Sequence, residues 1–115
     1  LIWLPYSSLV LEEALSGDQP VFLDFTADWC LSCKVNERLV LDSSQVKTFF
    51  KDEKFILIKG DWTNRNDEIR DYLNSINRNG VPAYVIYLPG HDSDPIVLPE
   101  VITPSIIKNS FYNVK

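Results

Sequence analysis

The chain has 115 residues, 45% of them hydrophobic and 23% charged, which suits one ordinary globular domain with a single core. A net charge of -5 and a pI near 4.7 argue against a nucleic-acid or anionic-lipid surface, since both need clustered Lys and Arg, and favour a neutral or basic partner. No apolar run approaches the roughly eighteen residues of a membrane span, the longest clear one being Phe55-Ile56-Leu57-Ile58.

The chain has no starting Met, basic leader or small-residue cleavage site, so it reads as a piece of something longer. Residues 1–6 are expected to be a linker remnant ahead of a single domain. Ser7 or Ser8 can cap a short helix whose apolar positions Leu11, Ala14 and Leu15 fall at i, i+3 and i+4, with Gly17 ending it. Val21 to Thr26 is nearly all apolar and rich in aromatic or β-branched residues, the pattern of a strand buried on both faces.

Directly after this strand comes Trp29-Cys30-Leu31-Ser32-Cys33-Lys34, which holds both cysteines of the chain. Two intervening residues suit a disulfide that opens and closes within one helical turn. A helix opening at Cys30 would present unpaired N–H groups and a partial positive charge to that sulfur, which stabilises a thiolate. Cys30 is therefore the expected exposed nucleophile, and Cys33, one turn further in, the expected buried resolving thiol. Two plainer readings compete. Zinc needs four ligands, and beyond this pair the chain offers only His91. A static staple closing so short a loop would add little stability.

Along this helix Leu31, Val35 and Leu39 form one apolar stripe, and Cys30, Cys33 and Glu37 a neighbouring one. Asp42-Ser43-Ser44 marks a break and a new cap, followed by Val46, Phe49 and Phe50 on one face of another short helix or a kinked continuation. Phe55 to Lys59 reads as a second buried strand, followed by a loop at Asp61 to Asn66 and a helix aligning Ile69, Tyr72, Leu73 and Ile76 up to Asn79-Gly80. A third strand spans Ala83 to Leu88, a fourth Ile96 to Leu98, and Thr103-Pro104 caps a last helix carrying Ile107, Phe111 and Val114. This alternation predicts an α/β fold, a mixed central sheet with helices on both faces.

Asp24 lies in an otherwise apolar strand, so burial should raise its pKa and let it hold a proton near neutral pH. It either takes the proton of Cys33, with Glu37 tuning the equilibrium, or only hydrogen-bonds at a strand end. Glu37 has a plainer reading too, as a partner for Lys34 or Arg38. Carboxylates beside a dithiol oppose the helix dipole and predict a reducing poise. Trp62 and Tyr84 either border the site or fill the core.

The run Asp24-Phe25-x-Ala27-x-Trp29-Cys30-x-x-Cys33-Lys34, with the later Val81-Pro82 and this element order, resembles the thioredoxin superfamily over nearly the whole chain. More narrowly, Phe22 to Glu37, Asp61-Trp62-Thr63-Asn64-Arg65 and Leu98-Pro99-Glu100-Val101 are similar to the C-terminal periplasmic domain of DsbD-type thiol:disulfide interchange proteins and their copper-tolerance relatives. Leu31-Ser32 departs from the Gly-Pro of ordinary thioredoxin.

The resemblance implies a protein-disulfide reductase with a thioredoxin-like fold. It would take two electrons from a transmembrane donor domain of the same protein and pass them to periplasmic thiol proteins. It further implies a periplasmic, inner-membrane-tethered location, an acidic pair formed by Asp24 and Glu37, and a cis Val81-Pro82 bond. With Trp29, these last two residues would receive an extended partner segment. No cofactor beyond the Cys30-Cys33 disulfide, no nucleic acid and a monomeric state are expected. The rival readings are a free-standing thioredoxin and a non-catalytic module holding Cu(I) on two thiolates.

Overall fold

A computed structural model describes residues 1–113; Val114, placed by its pattern on the last helix, lies outside the described residues. Five strands form one mixed sheet in the order β1-β3-β2-β4-β5. They are β1 (Trp3–Pro5), β2 (Val21–Thr26), β3 (Ile56–Asp61), β4 (Ala83–Tyr87) and β5 (Ile96–Val97). β3 runs parallel to both β1 and β2, whereas β4 runs antiparallel to β2 and β5. β2 is central and buried along its whole length, as its uninterrupted apolar run requires.

The helices are α1 (Ser8–Leu15), α2 (Leu31–Asn36), α3 (Ser44–Asp52), α4 (Asp67–Ser75) and α5 (Pro104–Tyr112). A π-helical turn, Glu37–Leu41, continues α2. Alternation along β2 divides the core. Phe22 joins Phe50, Tyr84, Ile107 and Phe111 under α3 and α5, while Leu23 and Phe25 join Leu11, Ile69 and Leu73 under α1 and α4. Ser7, Ser43, Asn66 and Thr103 cap their helices by accepting an N–H bond from the residue three further on.

Two local expectations change, and one choice that spacing left open is settled. The stretch read as a linker remnant supplies β1, because Trp3 to Pro5 can complete the open edge of β3 while the Trp3 ring packs edge-on against Phe22 and Phe50. α4 stops at Ser75, ahead of Asn79-Gly80. Asn77 takes a left-handed φ of 61°, and the Arg78 and Asn77 N–H groups close back on the Leu73 and Asn74 carbonyls at 2.9 and 3.1 Å.

The open choice is at α2. Leu31, Val35 and Leu39 face solvent, being 79%, 40% and 64% exposed, while Cys33, Asn36 and Val40 turn inward. Both stripes have helical spacing; the fold buries the side of the helix that carries the Cys33 sulfur. Gly60 sits opposite Phe25 in the β2–β3 register, and a Cβ there would collide with the Phe25 ring.

Candidate active site

β2 ends at Thr26, and Ala27-Asp28-Trp29 carries the chain over the sheet's edge to Cys30, the N-cap of α2. Cys30 stands just ahead of the helix rather than inside it. Its sulfur accepts the Cys33 N–H at 3.2 Å, so the helix's unpaired donors point at this atom. Cys30 and Cys33 form a disulfide with Cα atoms 5.3 Å apart. Cys30 is less open than expected, at 6% exposure, because Ala27 and Val81 pack beside it, but it lines an open cavity of about 610 Å³ with Trp29, Leu31, Val35, Asn36 and Val101. Cys33 is fully buried.

Val81–Pro82 is cis and leads into β4, with Val81 packed against the two cysteines and Pro82 buried. Trp29 is 63% exposed. Its indole N–H donates to the Thr63 carbonyl at 3.2 Å, while the Thr63 hydroxyl accepts the Asp28 N–H at 2.8 Å and bonds the Asp61 carboxylate. The loop after β3 thus clamps the residues just before Cys30.

Asp24 is 1% exposed, and neither carboxylate oxygen has a hydrogen-bond partner. Burial first, and then the charge of Glu37, push its pKa from 3.8 to about 7. Lys59 and Lys34 pull it down, and Asp42 raises it slightly. The Glu37 carboxylate accepts the Thr26 hydroxyl at 3.2 Å and lies 3.7 Å from both Lys34 and Lys59. The plainer expectation of a Lys34 pair is therefore met, but Lys59 and Thr26 join it and Arg38 does not.

Lys59 and Tyr84 are the register partners of Asp24 on its two neighbouring strands, which the sequence alone does not reveal. The one available signal was a lysine ending an apolar run. Tyr84 is buried, and its hydroxyl accepts from Asn36 Nδ2 at 3.0 Å; the same amide donates to the Glu100 carbonyl at 2.8 Å. Asn36 thereby ties α2 to β4 and to the loop carrying Val101. Trp62 packs on the core beneath α4 and also lines a second cavity next to Trp29. His91 lies beyond β4, at the end of the sheet where β2 begins, so the fold takes it away from the cysteines. Among the described residues no group of three or more His, Cys, Asp or Glu could hold a metal ion.

A family model described as thioredoxin-like matches residues 2–89. The chain belongs to the thioredoxin-like family. It is 40% identical over 93 residues to thiol:disulfide interchange protein DsbD 1 of Pseudomonas aeruginosa, a match covering 79% of this chain and 15% of that protein. It is 35% identical over 77 residues to DsbD of Ralstonia nicotianae, covering 67% of this chain and 12% of that protein. The chain thus spans about a seventh of these relatives' length.

The fold matches the oxidised C-terminal domain of DsbD from Neisseria meningitidis with a TM-score of 0.68 and 25% identity, over 87% of this chain and 89% of that one. The reduced form of that domain gives a TM-score of 0.67. The Cys-x-x-Cys disulfide, the fold and these relatives make this domain a thiol:disulfide oxidoreductase. No helix among the described residues is long and apolar enough to cross a membrane.

Proposed function

We propose that this domain relays two electrons from a membrane-embedded donor in the same protein to thiol proteins of the periplasm, where the donor tethers it. The observation that carries the reading is the asymmetry of the two sulfurs: Cys30 borders an open cavity at a helix N-cap, while Cys33 is fully buried behind it. In the reduced state the Cys30 thiolate attacks a partner disulfide. A bond forms between Cys30 and one partner sulfur, and the other partner sulfur leaves as a thiolate. Cys33 then gives its proton to Asp24 and attacks the Cys30 sulfur, which closes the Cys30–Cys33 disulfide and releases the second partner thiolate.

The two released thiolates take up protons, so the partner gains two electrons and two protons. Reversal of the same steps by a donor dithiol recharges the domain. A carboxyl titrating near 7 suits Asp24 to this exchange, and Glu37 adjusts it through charge. Trp29, Val81 and Pro82 frame the cleft that receives the partner strand, and the acidic surroundings set a reducing poise. The couple needs no cofactor beyond the two sulfurs.

The test is Cys33→Ala, which blocks resolution and holds the partner on Cys30. Exposed to a periplasmic extract, the variant should retain a small set of thiol proteins released by dithiothreitol, and Cys30→Ser should retain none. Equal retention by Cys30→Ser would overturn the assignment.

A further inference from the structure

The stripe Leu31, Val35 and Leu39 is the one strongly patterned feature of the sequence that the core does not absorb. With Trp29 and Val101 these residues make up half of the large apolar side chains left exposed among the described residues. Four of them line the cavity at Cys30, and Leu39 extends the strip one turn beyond Val35. From Leu31 to Leu39 the strip runs about 12 Å along the helix axis. An exposed apolar surface of this extent, starting at a reactive sulfur, marks a landing site. Two cations border it. Lys34 is taken up by Asp28 and Glu37 at 3.7 Å, and Arg38 has no ion-pair partner among the described residues.

We propose that the outer face of α2 from Leu31 to Leu39 docks an apolar segment of the protein whose disulfide this domain reduces, that segment lying beside the disulfide with an acidic group on its rim facing Arg38. That group is a local exception to the neutral or basic partner that the net charge of -5 favours overall. The inference rests on the exchange reading above. The occupant follows from continuity: whatever covers the strip adjoins the cavity where a partner sulfur must meet Cys30, so the molecule seated there is the one undergoing exchange. A small disulfide cannot reach Leu39.

The test uses two synthetic peptides of about 20 residues. Each has an intramolecular disulfide at one end followed by an amphipathic helix with Glu on its polar face; the apolar face carries Leu in one and Gln in the other. 5,5′-Dithiobis(2-nitrobenzoate) serves as the small disulfide. The native reduced chain should reduce the Leu peptide with a KM about tenfold lower than the Gln peptide. Leu39→Glu should abolish that preference and leave the rate with the small disulfide unchanged.

Leu9→Glu, an equally exposed leucine on α1, should preserve the preference. A native chain indifferent to the two peptides, or a preference that survives Leu39→Glu, would overturn the proposal. So would a concentration-dependent mass in sedimentation that Leu39→Glu removes, since a second copy would then cover the strip. Failure of the native chain to reduce the small disulfide would sink the exchange reading itself.

Discussion

Asp24, the acid proposed to take the proton of Cys33, also bears on the stability of the whole chain. Its pKa rises from 3.8 to about 7 on folding, chiefly through burial. The folded chain therefore holds a proton that the unfolded chain has lost across this interval. The associated stability is fully present below about pH 4, falls as pH rises toward 7, and stays lost above it. At 1.36 kcal/mol per pKa unit, the difference amounts to about 4 kcal/mol, an upper value for a fully water-excluded group. Asp24→Asn removes the ionisation.

The amide still places polar atoms where neither Asp24 oxygen has a hydrogen-bond partner, but that fixed cost cancels when two pH values are compared. Urea unfolding of the oxidised chain, in which the thiols do not titrate, should show the variant gaining up to about 4 kcal/mol over the native chain between pH 4 and pH 8. Parallel stability curves for the two proteins would refute the reasoning, because a carboxyl that ionises alike in both states contributes no slope.

Glu37→Gln should move the upper end of the same window to lower pH, since it removes the charge that raises Asp24 and leaves the lowering influence of Lys59 and Lys34; NMR titration of the Asp24 carboxyl carbon checks this. Gly60→Ala should destabilise the fold by roughly 1–3 kcal/mol in urea, because the new methyl meets the Phe25 ring, itself held by Tyr6 and Tyr72. Thr63→Val deletes the hydroxyl that joins Asp61 to the Asp28 amide; a loss of about 1–2 kcal/mol and altered Trp29 fluorescence are expected, with Thr63→Ser restoring both.

The features legible in the sequence are those set by near neighbours along the chain. The dithiol at a strand-to-helix junction, the burial of Asp24 and the caps at Ser7, Ser43 and Thr103 all depend on periodicity, spacing and local hydrogen bonding. The α/β alternation follows for the same reason. Local pattern fell short at two places. Trp3 to Pro5 is too short to announce itself as a strand and becomes one only because β3 presents an unpaired edge. On α2 two stripes compete, and spacing cannot say which one the sheet will cover.

The tertiary structure alone decided which groups surround the acid. Lys59 and Tyr84 flank Asp24 because strand register sets them there, across sequence separations that no local pattern spans. Thr63 reaches Asp28 and Trp29, and Asn36 reaches Glu100, only once the loops after β3 and β5 fold over the sheet's edge. Residue types and their spacing along the chain thus determined where the redox chemistry sits. Packing determined the charges and surfaces around it, because electrostatic coupling and solvent exclusion depend on distance in space.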